Sequence, residues 1–172
     1  MKKTFPIELL PYYAKKAERE TKKHFEKLKK TKPNNLDELF ESHHDAVFEH
    51  TDCLTCANCC KTTSPIFIPR DIERLSKAFK LKVPEFIAQY LHLDKDNDYV
   101  LNQTPCPFLD NENFCTVYEN RPNACREYPH TNRKRIYQVL DLAVKNTYIC
   151  PAVYQIVEDI KAKLNKTKKS ND

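Results

Sequence analysis

The residues of this chain best equipped for chemistry are its cysteines. Eight occur in 172 residues, and Cys53, Cys56, Cys59 and Cys60 fall within the eight positions of "CLTCANCC". Two intervening residues let a tight loop aim successive thiolates at one centre, so Cys53, Cys56 and Cys59 have ligand spacing. Directly adjacent side chains tend to point apart, so one of Cys59 and Cys60 is expected to serve a second metal or a different part of a cluster. Four more cysteines follow: Cys106 and Cys150, each before a proline, and Cys115 and Cys125 in a turn-rich segment. Clusters of the bacterial ferredoxin kind use a C-x2-C-x2-C run with a C-P cysteine, at other local spacings. Zinc accepts the same thiolates tetrahedrally. Soft thiolate ligation suits both metals, so an iron–sulfur cluster, such as 4Fe-4S, and zinc stay open. "CLTC" alone reads as a dithiol redox site, but here it comes with two further cysteines at regular spacing. Metal ligation is the reading the pattern favours.

Composition narrows the alternatives. Glycine is absent, where average usage of about 7% predicts roughly a dozen. Neither a phosphate-cradling P-loop nor a G-x-G-x-x-G dinucleotide site can be built without it. Thirteen asparagines are present instead. Asn is the next-best occupant of left-handed turns, so "DNEN" at 110–113 is expected to close a hairpin where Gly usually does. No Ser-His-Asp set, carboxylate pair or nucleotide motif stands beside the cysteines. His43, His44, His50 and His130 read as surface or satisfied interior histidines, with His50 able to ligate or support a ligand. Arg121 and Arg126 can balance thiolate charge or pair with Glu119 and Glu127.

Charge is unevenly distributed. Residues 1–33 carry +7 and residues 161–172 carry +4, leaving 34–160 at −6 within a net +5. That is not a uniformly basic nucleic-acid face, and nucleic-acid binding is not expected. Solvated ends are the simple reading; recruitment of an acidic protein partner by the basic termini is the sharper one. Glu8 and Pro11 interrupt any signal-peptide core in "MKKTFPIELL", and no apolar run approaches the roughly 20 residues of a membrane helix. A cytoplasmic location is expected, where clustered cysteines are more readily metal ligands than disulfides.

The elements that must position the cysteines are mostly helical. A charged helix after Pro11, with sparse apolar residues Tyr13, Ala17, Phe25 and Leu28, is expected to pack weakly. A second spans 35–49 with Leu36, Leu39, Phe40, His43 and Val47 on one face and Asn35 and Glu38 as a capping pair. "SPIFIP" reads as a short buried extended segment, followed by helices in "RDIERLSKAFK" and "PEFIAQYLH". "DKDND" at 94–98 is a turn, 99–118 carries short strands or a hairpin, and "RPNAC" is one helical turn from Pro122. Residues 133–149 are ambiguous between helix and strand. Pro151 opens a last helix with Val153, Ile156, Val157, Ile160 and Leu164 in one stripe. The expected fold is mainly α, a small single domain with a cysteine-rich irregular region and a short β-hairpin, organised around a metal site. Its sections are a basic helical extension at 1–33, a cysteine-cluster metal-binding domain at 34–160 and a basic tail at 161–172.

The three segments "CLTCANCC", "CPFLDNENFCTVYENRPNACREYP" and "YICPAVY" together resemble the YkgJ-like family of zinc- or iron-chelating cysteine-cluster proteins, over roughly residues 50–155. The family's C-x-x-C-x-x-C-C block, C-P-x-L, C-x-x-Y and R-P-x-x-C elements are all present, with Asn111, Glu112 and Asn113 standing where the family usually has Gly. The resemblance implies Cys53, Cys56, Cys59, Cys60, Cys106, Cys115, Cys125 and Cys150 as ligands. It implies a metal-binding protein in a structural, sensing or assembly role. The alternative is a metal-dependent protein-modifying enzyme such as a protein lysine methyltransferase, since the family is also linked to flagellin lysine methylation.

Overall fold

Proline placement sets where four of the helices begin. In the computed structural model, which describes residues 6–169, Pro11, Pro69, Pro84 and Pro151 each occupy the first turn of a helix. A fixed φ and a missing N–H cost nothing there. The elements in chain order are α1 (Leu10–Thr31), α2 (Leu36–Phe48), α3 (Cys53–Cys56), α4 (Asn58–Thr62), α5 (Pro69–Ala78), α6 (Val83–Tyr90), β1 (Leu91–Leu93), β2 (Tyr99–Leu101), α7 (Asn123–Glu127), α8 (Leu140–Asn146) and α9 (Pro151–Lys169). The chain is mainly helical, with one antiparallel pair of three-residue strands. No helix among the described residues is long and apolar enough to cross a membrane. Residues 1–5 and 170–172, at the tips of the two basic sections, lie outside the described residues.

The chain divides into two compact units, one formed by Met1–Asp52 with Pro129–Asp172 and the other by Cys53–Tyr128. The first unit gathers α1, α2, α8 and α9 around a core that includes Phe25, Phe40, Leu140, Val153, Ile156 and Ile160. The expectation of a weakly packed first helix fails here. Leu10, Ala14, Thr21, Phe25 and Leu28 recur at helical spacing and are all buried, with Phe25 only 1% exposed and its ring 6.0 Å from that of Phe40. A sparse stripe suffices because its lysines and glutamates lie on the other faces. The expected Asn35–Glu38 cap does not form, and Asn35 makes no side-chain cap bond. Instead the neighbouring Asp37 accepts N–H bonds from Arg135 at 2.7 Å and Ile136 at 2.9 Å, fixing the start of a single 3-10 turn, Ile136–Gln138. That turn and α8 resolve the ambiguous stretch as helical.

The second unit packs α5, α6 and the β1–β2 hairpin around Phe67, Leu75, Phe86, Leu91, Leu101 and Phe108. Phe79, Phe86, Tyr90 and Phe108 form a tilted aromatic cluster with centroids 5.0 to 5.9 Å apart. "SPIFIP" alternates rather than being buried throughout: Phe67 points inward and its N–H donates to Tyr99 O, while Ile66 and Ile68 are exposed. The helix expected to run on to His92 stops at Tyr90, because Leu91–Leu93 turns into a strand against Tyr99–Leu101. The 94–98 turn between them has Asn97 at φ 62° and Asp94 accepting the Asp96 and Asp98 N–H groups.

Two outcomes follow from the first unit. Truncating Phe25→Ala removes a fully buried ring and is expected to lower stability by about 3 kcal/mol, read as a fall in the urea midpoint; an unchanged midpoint would restore the loose-helix reading. His44 stacks on Phe48, shares a 2.8 Å hydrogen bond with Thr131 Oγ1, and burial holds its pKa below the usual 6.5 against the opposing pull of Asp45 and Glu41. The folded state therefore resists a proton that the unfolded chain accepts. Its contribution is complete above about pH 6.5 and declines as the pH falls through that value. The urea midpoint of wild type should drop more steeply than that of His44→Gln between about pH 7.5 and 5.5, and parallel profiles would contradict this.

Candidate metal centre

The first cysteine block folds as two single helical turns with a kink between them. Cys53 and Cys56 occupy the ends of α3, Ala57 turns left-handed at φ 46°, and α4 carries Cys59 and Cys60. The Ala57 N–H donates to Cys53 O at 2.7 Å and the Lys61 N–H to Ala57 O at 3.0 Å, closing both turns. A left-handed residue with a Cβ costs about 1 kcal/mol, and Ala57 takes that conformation in a chain without glycine. The adjacent pair does not diverge as expected. Cys59 Sγ and Cys60 Sγ lie 4.0 Å apart, and the hydrogen bond from Cys59 brings the Cys60 thiol down to about 7 despite its burial.

The second block is a hairpin anchored to the unit's core by Phe108 and Val117. Cys106 and Cys115 flank it, with Leu109 bridged to Cys115. At its tip Asp110 Oδ1 accepts the Glu112 and Phe114 N–H groups, and Asn113 stands at φ 66°, the role foreseen for an asparagine in "DNEN". Two hydrogen bonds tie this hairpin to the first block: Cys106 N–H to Cys60 O at 2.9 Å, and Asn113 Nδ2 to Leu54 O at 2.7 Å. The backbone N–H groups of Phe108 and Leu109 draw the Cys106 thiol down, and that of Val117 draws Cys115 down, each against the effect of burial. Such donors favour a thiolate.

Cys125 comes from α7, and what holds α7 is a buried carboxylate that sequence reasoning overlooked. Asp71, 1% exposed, accepts the Asn123 N–H at 3.2 Å, the Ile68 N–H at 3.3 Å and Arg74 Nη2 at 2.6 Å. Arg74 also donates to Asn120 O at 3.3 Å and Arg121 O at 2.9 Å. Asp71 and Arg74 are positioning residues: they grip the Asn120–Asn123 segment from both sides and so set where Cys125 sits. The available signal was an acid three residues after Ile68, at the start of a proline-opened helix.

Cys60, Cys106, Cys115 and Cys125 are all electrostatic neighbours, so that each of the six pairings influences a thiol's ionisation. Burial, then the other three thiolates, pushes Cys125 to about 12; burial above all pushes Cys106 to about 11 and raises Cys115. Arg121 opposes this. Its guanidinium lies 3.8 Å from the Tyr118 ring centroid, and its charge draws both Cys115 and Cys125 down. Arg126 instead donates to the carbonyls of Arg121 and Glu119. As the side chains stand, no three His, Cys, Asp or Glu among the described residues converge closely enough to hold a metal ion. No disulfide joins any of the eight cysteines. The donor chemistry nevertheless fits a thiophilic cation: soft thiols from three segments lie near enough to disfavour one another's ionisation, a cost that a positive ion offsets.

Seven of the eight expected ligands lie in this unit. Cys150 belongs to the other, packed against its helical core just before α9, where its N–H donates to Asn146 O at 2.8 Å. Among the histidines, His43 Nδ1 bonds Leu39 O, His44 bonds Thr131, and His50 lies 3.6 Å from Glu49. A family model, CxxCxxCC, described as "Putative zinc- or iron-chelating domain", matches residues 52–151. No curated protein and no solved structure matches the chain.

Removing the carboxylate in Asp71→Ala should cost about 3 kcal/mol by stranding Arg74 and the Asn123 N–H, and should raise the rate at which a thiol reagent reaches Cys125. Unchanged stability with unchanged labelling would show that the clamp does not set the Cys125 turn.

Proposed function

Because the chain belongs to the CxxCxxCC family, we propose that it is a thiolate metal-binding protein whose centre is nucleated by Cys60, Cys106, Cys115 and Cys125. The observation that carries this reading is geometric: the Cys106 N–H donates to Cys60 O at 2.9 Å, the Leu109–Cys115 bridge closes the hairpin that carries both Cys106 and Cys115, and the Asn123 N–H bonded to Asp71 holds the turn that leads to Cys125. A metal held there would supply charge neutralisation and soft coordination, and it would link the α4 turn, the 106–115 hairpin and α7 in one closure. Cys53, Cys56 and Cys59 extend the set along the neighbouring turns. Seven thiolates exceed what one tetrahedral zinc requires, which leaves room for an iron–sulfur cluster or for more than one ion.

What this chain's residues contribute is legible without the metal. The N–H groups of Phe108, Leu109 and Val117 stabilise the charged sulfurs, Arg121 offsets part of their negative charge, and Asp71 and Arg74 keep the Cys125 turn in place. The role is structural, sensing or assembly rather than turnover, since these groups all serve to hold a centre and none is poised as an acid or base toward a substrate.

Anaerobic purification followed by elemental analysis and visible absorption tests the reading. We expect zinc, or iron with sulfide, to copurify, and Cys106→Ser and Cys125→Ser each to lose most of it. Loss of metal should also lower stability, because metal that binds only the folded form contributes its binding free energy to folding. A fully folded wild-type protein that neither contains nor takes up zinc or iron, with eight reactive thiols, would refute the proposal.

A further inference from the structure

The outer face of α5 carries three cations, of which the fold uses one. Arg70, Arg74 and Lys77 recur at spacings of four and three and so share one side of the helix. With Glu73, Ala78 and Asn120 they line a groove of about 540 Å³. Arg74 is committed to Asp71 and to the carbonyls of Asn120 and Arg121. Arg70 and Lys77 are exposed, and their side chains make no hydrogen bond or ion pair among the described residues. Glu73 is the only acid in the lining.

This positive groove is a local asymmetry. Residues 53–128 contain nine Lys and Arg against ten Asp and Glu, so the unit's net charge does not account for the excess that remains here once Arg74 is paired with Asp71, namely Arg70 and Lys77 beside Glu73. The balanced total and a lining without an aromatic side chain argue against nucleic acid, which calls for a broad basic track or stacking platforms. Carboxylates suit the donors better, since a guanidinium meets them with two parallel N–H bonds. Arg70 and Lys77 are seven residues apart, about 10 Å along a helix at 1.5 Å per residue. A segment in the extended polyproline II conformation has three residues per turn and rises about 3.1 Å per residue, so acids three positions apart share one face about 9 Å apart and would reach both.

We propose that this groove docks an extended acidic segment of a partner protein, its carboxylates paired with Arg70 and Lys77 across Arg74. The docking does not depend on the metal reading, because neither Arg70 nor Lys77 belongs to the cysteine site. A dye-labelled hexaglutamate peptide tests it on the full chain, with hexaglutamine and a six-nucleotide single-stranded DNA as comparisons, in fluorescence anisotropy. Hexaglutamate should bind and weaken by about tenfold or more between about 50 and 300 mM salt, as screening of exposed charges requires. Arg70→Glu and Lys77→Glu should each weaken it by about tenfold or more, whereas Lys95→Glu, in the β1–β2 turn, should change it by less than about threefold. All three positions are exposed, and unchanged circular dichroism verifies that each variant folds. Failure of hexaglutamate to bind, equal binding of hexaglutamine, indifference to both charge reversals, or tighter binding of the oligonucleotide through the same two residues would overturn the proposal.

Discussion

A carboxylate buried without compensation is among the most expensive things a fold can contain, and Asp71 is where this chain meets that constraint. Its oxygens are satisfied by Arg74 and by the N–H groups of Ile68 and Asn123. Those partners come from both ends of the second unit's sequence. Once Ile72 and Leu75 are packed into the core, Asp71 is carried inside with them, and the Asn120–Asn123 segment must come to it. Cys125, two residues further on, is thereby brought near Cys60, Cys106 and Cys115. The proposed metal centre thus inherits its geometry from helix packing and one satisfied charge, before any metal contributes.

The absence of glycine shapes the same region. Among the described residues, seven with side chains take left-handed backbone conformations, including Ala57 between the first cysteine turns and Asn113 at the hairpin tip. Each of these costs more than glycine would in the folded state, but it leaves the unfolded chain fewer conformations to lose. Asparagine accepts the geometry most easily, which explains Asn97 and Asn113. Ala57 has no such help, and its place is kept by two closing hydrogen bonds and by burial. The loops that carry the sulfurs are in this way held by backbone bonds: Asx turns and cross-links from Cys106 to Cys60 and from Asn113 to Leu54.

Much of this was written in the sequence, and the parts that were not share a cause. Proline positions, the stripe of α9, the 94–98 turn and the asparagine-closed hairpin are local properties, and short-range patterns report them well. The cysteine spacing pointed to ligation for the same reason, and the family match over 52–151 agrees with it. Three things escaped. The burial of α1 depends on partners such as Phe40, more than a dozen residues distant. The Asp37 and Asp71 bonds join segments about 50 to 100 residues apart, so nothing adjacent to either aspartate announces them. The close approach of Cys59 and Cys60 overrode the general tendency of neighbouring side chains to diverge, because the α4 turn directs them together. Sequence reasoning could say which residues hold sulfur, but not which four feel one another's charge.

The central claim is that thiolates drawn from three segments share one metal centre. X-ray absorption at the zinc or iron edge, on the anaerobically purified full chain, reads the ligand atoms directly. The account predicts a metal surrounded by sulfur, at about 2.3 Å if it is zinc, with that sulfur signal diminished in Cys125→Ser. A metal surrounded by oxygen and nitrogen alone, unchanged by the loss of Cys125, would contradict it.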